Sequence, residues 1–241
     1  MPDGERILDA VRAALRSEAA VDLRNHPLKL TLADTGSLII EGELADVAAK
    51  KLALGRAAAV SGVDAIVDRI RVAPAQRMGD GAIRDELRSA LLQEPAFSAF
   101  TIRETAKGRT EPVREPPERS GVIEYEVQDG IVVLNGEVPG VGHKRLVGVL
   151  AWWIPGSRDV INGIAETPAE EDNDDEVSDA VRTALEKDVF VNASQVRVST
   201  RDYVVTLDGL VPTESEKDMA ERDAWYVFGV DDVVNRLMVR P

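Results

Sequence analysis

Few side chains in this chain of 241 residues could do chemistry. It has no cysteine and only two histidines, His26 and His143. Disulfides, thiol catalysis and cysteine metal sites are therefore excluded, and a multi-histidine metal centre has too few ligands. His26 stands beside Pro27 and reads as a turn residue, while His143 has no nucleophile in its sequence context. Acids are plentiful, but nothing in their spacing fixes two of them together in a pocket, as general acid–base work requires. The acidic run PAEEDNDDE lacks the glycine and distal glutamate of a calcium loop and reads as a solvated linker. The expectation is a non-enzymatic chain with no cofactor and no metal site.

Candidate binding residues remain. PGVGHKR, Pro139 to Arg145, puts glycines and a His–Lys–Arg cluster at a helix start. Backbone N–H groups there, with Lys144 and Arg145, could receive an anion; the plainer reading is a strand-to-helix turn. The aromatic candidates are Trp152, Trp153, Trp225 and Tyr226, with Trp152 and Trp225 each four residues before a glycine. Three roles compete for them: packing between repeats of one chain, a homodimer interface, and a membrane or ligand surface.

The elements that position these residues are repeated. SLIIEGEL, IVVLNGEV and VVTLDGLV share a pattern, and align on Gly42, Gly136 and Gly209. Twenty residues after each stands a second glycine, Gly62, Gly156 or Gly229, followed by a strand-like run. None of the six lies in a phosphate-binding pattern, so backbone geometry is their expected role. Before each first glycine lies a helical nonamer, ILDAVRAAL, IRDELRSAL or VSDAVRTAL, apolar at i, i+4 and i+8. Asp80 reads as the N-cap of the second nonamer. A short alternating strand, a tight turn (ADTGS, QDG or RDY) and the glycine-bearing strand make a hairpin. A second helix fills the interval, with apolar positions ten, nine, five and two before the second glycine, which is expected to give its C-cap a positive φ.

The expected fold is thus α+β: three tandem αββαβ domains, each a three-stranded mixed sheet with two helices on one face. The domains are read as 1–75, 76–168 and 177–241, with an acidic linker at 169–176. Near 103–121 the second copy carries a charged, proline-rich insertion, read as a mobile surface loop in preference to a partner-binding arm. Units of about 65 residues bury little core, so packing between repeats is expected to add stability and make a compact three-domain body.

The order of helix, hairpin with a late glycine, helix, then GVDDVVNRLMV resembles the BON domain, named for bacterial osmotically induced and nodulation proteins. GVDAIVDRIRV has Asp68 in place of the asparagine, and GSRDVINGIAE departs at Ser157 and Glu166. The resemblance implies a binding module without catalytic residues, linked to envelopes, phospholipid and osmotic stress. The first reading of function is a binding or scaffold protein acting through protein contacts or self-association in a stress response. The alternatives are a peripheral phospholipid-binding protein and a small-ligand or cation sensor.

Net charge is −14, and residues 169–241 carry 8 basic against 18 acidic residues, so the last part repels nucleic acid and anionic lipid. No apolar run approaches the ~18 residues of a membrane span. MPDGERILDAV lacks the pattern of a signal peptide, which places the chain in the cytoplasm unless a leader has been removed.

Overall fold

The computed structural model describes residues 2–33, 35–169 and 172–240. Asp34 of the first predicted turn, and Glu170 and Glu171 of the predicted linker, lie outside the described residues. The chain divides into two units, 1–73 and 74–241.

The first unit runs α1 (Pro2–Ser17), β1 (Lys29–Leu32), β2 (Ser37–Leu44), α2 (Val47–Ala58) and β3 (Ala65–Val72). Strand β2 is central, antiparallel to β1 and parallel to β3. The crossover from β2 to β3 passes through α2, as a parallel pair requires. Val11 and Leu15 of α1 meet Leu38, Ile40 and Ile70 of the sheet and Ala53 and Ala57 of α2 in one buried cluster.

The second unit holds the other two copies. Its first part is α3 (Asp80–Gln93), β4 (Phe100–Ala106), β5 (Arg109–Arg114), β6 (Gly121–Gln128), β7 (Ile131–Val138), α4 (Val141–Trp153), β8 (Asp159–Asn162) and β9 (Ala165–Glu166). Its last part is α5 (Asp174–Lys187), β10 (Val196–Arg201), β11 (Val204–Val211), α6 (Glu214–Tyr226) and β12 (Asp232–Val239). Strands β10, β11 and β12 reproduce the order and senses of β1, β2 and β3. The predicted nonamer faces are buried at Ile83, Leu87 and Leu91, and again at Val177, Val181 and Leu185. The second-helix positions nine and five before the glycine are fully buried in all three copies, at Ala53, Val147, Ala220, Ala57, Ala151 and Ala224.

The middle sheet departs from the expected three strands. It has six, in the order β5-β4-β6-β7-β8 with β9 also on β7. The insertion read as a loop is largely a hairpin, β4 and β5, joined by a turn with Lys107 at φ 52° and Gly108 at φ 72°. Positive φ at both central residues gives the twist that a two-residue hairpin needs. The hairpin is anchored on its polar side. Glu104 accepts bonds from the Tyr125 hydroxyl at 2.6 Å and from Arg88, and Arg114 donates to the carbonyls of Phe97 and Phe100.

Two further expectations are corrected. Gly79, not Asp80, is the N-cap of α3; the Asp80 carboxylate instead receives the N–H groups of Asp129 and Gly130 at 3.0 and 2.9 Å. Asp174 holds the Asp202–Tyr203 turn in the same way, at 2.9 Å to each amide. In each case one carboxylate accepts two turn amides through charge-assisted bonds. The second glycines lie past the helix ends, beyond C-caps at Ala59, Ile154 and Val227. Gly62 and Gly229 have φ of 93° and 89°, but Gly156 has no positive φ; a Cβ there would sit 2.7 Å from Met78 and 2.8 Å from Ile83. Close helix packing, not backbone hand, selects glycine at 156.

The asparagine of the third-strand run bridges strand to helix. Asn235 and Asn162 donate from Nδ2 to the carbonyls of Lys217 and Lys144, at 3.2 and 2.8 Å. Asp68 cannot donate. In its place the buried Lys50 ammonium, at the position of Lys144 and Lys217, meets Asp68 at 2.9 Å and the Ile70 carbonyl at 2.9 Å. The ion pair thus substitutes for a neutral bridge.

These close contacts make two predictions. Asp68→Asn removes the counter-charge of the buried Lys50 ammonium, which keeps the Ile70 carbonyl, and should cost the first unit about 2–4 kcal/mol. Adding Lys50→Leu should recover most of it, since no buried charge then lacks its counter-charge. A urea-melt double-mutant cycle reads both. At Gly136, with φ 124°, a Cβ would lie 2.1 Å from the Val122 carbonyl oxygen, whereas Gly55 within α2 has nothing within 4 Å. Gly136→Ala should lose about 3 kcal/mol or more, and Gly55→Ala should gain about 0.5–1 kcal/mol, in the same assay.

Candidate functional site at the joint between the second and third repeats

Five of the six predicted binding residues, Lys144, Arg145, Trp152, Trp153 and Tyr226, make contacts where α4 meets the third repeat. Helix α4 is VGHKRLVGVLAWW, apolar nearly all round, and every residue from Arg145 to Ala151 is buried. One side packs on its own sheet through Val147, Leu150 and Ala151. The other is covered by the third repeat. Trp152, Trp153 and Tyr226 make contacts between the repeats.

At the C-terminal end of α4, Trp152 stacks on Tyr226 of α6, ring centroids 6.0 Å apart and planes within 9°. Trp153 donates from Nε1 to Oδ1 of Asp223 at 2.8 Å. Trp225, the repeat counterpart of Trp152, is itself buried at 4% exposure and does not pair with it. The stacking partner is the next residue, Tyr226.

At the other end, the two predicted anion-binding cations are already engaged. Lys144 pairs with Glu166 on β9 at 2.9 Å and lies 5.3 Å from the Phe228 ring centroid. Arg145 is 1% exposed, donates from Nε to the Phe228 carbonyl at 2.8 Å, and pairs through Nη2 with Asp172 at 2.5 Å. This overturns the anion reading of PGVGHKR: the positive charge there neutralises acids of the same chain. His143 is likewise structural, bonded to the Pro139 carbonyl and lying against the Phe97 and Phe100 rings. A shallow groove of about 200 Å³ runs between α4 and α5, lined by His143, Leu146, Val149, Ala180 and Thr183.

Sequence reasoning places Asp223 inside the buried arc of α6 but missed its role; the side chain is 3% exposed. Its carboxyl is pushed up to about 8, chiefly by burial, with a lowering hydrogen bond from Trp153 and a raising contribution from the neighbouring Asp188 carboxyl. The available signal was an acid inside an otherwise apolar arc of α6. Also missed was the second inter-repeat ion pair, Glu94 to Lys187 at 2.9 Å. Among the described residues no group of three or more His, Asp or Glu side chains is placed to hold a metal ion, and no helix is long and apolar enough to cross a membrane.

Comparison with known proteins agrees with this repeat architecture. The BON domain model matches residues 3–74, 114–168 and 173–241; the middle match leaves α3 and most of the β4–β5 hairpin outside it. Curated proteins give no significant sequence match. Two solved structures of CdsD, a structural protein of the type III secretion system of Chlamydia trachomatis, are similar at 15% identity. One is described as its C-terminal domain. They cover 98% of this chain and 98% and 93% of theirs, with TM-scores of 0.26 and 0.25, so superposition over the full length is poor. The three family matches together span most of the sequence, and the chain belongs to the BON domain family, as three tandem copies.

Proposed function

We propose that this chain is a non-enzymatic BON-type scaffold that acts through protein contacts in a stress response. The observation that carries the reading lies in the loop after α5. Val189 and Phe190 are 88% and 70% exposed there. The same places hold Ala19–Ala20 in the first copy and Pro95–Ala96 in the second. Only the third copy therefore offers large apolar side chains at this tip. A protruding valine–phenylalanine pair is costly to leave in water, and it suits an anchor that enters a partner's pocket.

Several features favour protein over phospholipid as the partner. The third repeat, which bears the tip, is the acidic part of the chain and repels anionic headgroups. Trp152 and Lys144, the residues expected to face a membrane, are stacked and paired inside the second unit.

The test places a photo-cross-linking amino acid at position 190 in cells of the native host. Discrete protein adducts that Val189→Asp abolishes are the expected result. Adducts to lipid alone, together with co-flotation on anionic vesicles, would replace the scaffold reading with the membrane one.

A further inference from the structure

Each repeat puts an acid at the same place, three residues past the end of its nonamer: Glu18, Glu94 and Asp188. What that acid meets differs. Glu18 pairs with Arg56 at 2.8 Å within the first repeat. In the second repeat the matching helix position is Leu150, and Glu94 reaches across to Lys187 of the third repeat instead. In the third repeat the residue matching Arg56 is Asp223, so an acid faces an acid. One site has been rewritten from opposite charges to like charges, and this occurs at the surface where the second repeat docks.

We propose that Asp223 makes the joint between the second and third repeats proton-dependent: its neutral carboxyl closes the joint, and its carboxylate loosens it. The geometry is that of an interface, not an isolated group. Oδ1 accepts the Trp153 indole N–H from the second repeat at 2.8 Å. Oδ2 is buried with no well-aligned partner among the described residues. Protonation turns it into a donor with the Asp188 carboxyl as neighbour; ionisation sets a buried negative charge beside a second carboxyl. The surrounding groups compensate only in part. Helix α4 offers the indole N–H of Trp153, which favours the carboxylate. The end of α5 offers Asp188, already accepting the Phe190 amide at 2.8 Å, and Lys187, engaged with Glu94. On α6 itself Arg222 lowers the carboxyl's pKa, but it is an exposed side chain and the weakest of the influences on the group.

The sign follows from the raised pKa. Folding favours the protonated acid, so its contribution is fully present below the ordinary carboxylate range and is lost as pH rises through about 8. The full chain, with aspartate carboxyls carrying ¹³C, is titrated by NMR, the Asp223 signal being assigned by its loss in Asp223→Asn. A midpoint near 8 is expected. Asp188→Asn should lower it and Trp153→Phe should raise it, which a purely structural carboxyl would not show. In parallel, amide exchange of α4 and α6, corrected for intrinsic rates, should quicken ~tenfold from pH 7 to pH 9.5 in the wild type and stay flat in Asp223→Asn. A midpoint below about 5, or equal protection on both sides of the midpoint, would overturn the proposal. So would the same pH response in Asp223→Asn.

Discussion

A cation taken wholly out of water governs how the second unit is assembled. The Arg145 guanidinium has to find its counter-charge and its acceptors inside the protein, because an unpaired buried charge is far more expensive than an unpaired exposed one. Its partners are Asp172 and the Phe228 carbonyl, which lie before and after the helix pair of the third repeat. One side chain therefore references two separated points of the neighbouring fold. The apolar faces of α4 supply most of the burial, but burial alone is indifferent to rotation. The guanidinium, the Trp153–Asp223 bond and the Glu94–Lys187 pair give the contact a single orientation.

Inside each copy a common frame carries different chemistry. The turn latch made by Asp80 and Asp174 has no equivalent at Gly4, which has no side chain to offer. The neutral strand-to-helix bridge of Asn162 and Asn235 becomes an ion pair at Asp68. The glycines of the central strands allow no such freedom: a Cβ at Gly209 would sit 2.0 Å from the carbonyl oxygen of Gln195, just before β10, as one at Gly136 would press on Val122 of β6. Positions limited by backbone contact stay fixed, while positions bridged by side chains exchange one compensated solution for another.

That distinction explains what could be read in the residues. Ile83, Leu87 and Leu91 announce a helix face by spacing alone, and their burial depends on nothing else. The glycine interval was legible for the same reason. The β4–β5 hairpin was not, because β5 is exposed or half-buried along its whole length and shows no apolar alternation. The fates of Lys144 and Arg145 were hidden too. Their cationic sequence context is local, but the acids that neutralise them are Glu166 and Asp172, brought close only by the fold. Asp223 stands out of place on its own helix; the partner repeat gives it meaning.

The extra hairpin also changes how the middle sheet ends. In the flanking copies the first hairpin strand is an open margin, at β1 and at β10. In the middle copy that margin is occupied by β4, and the new outermost strand reads RTEPVR, with Pro112 and charged side chains along it. A proline withholds an amide, and charged side chains resist burial against another strand, so the border is a poor template for another chain. On this side the six-stranded sheet is therefore closed to open-ended growth by the segment that enlarged it.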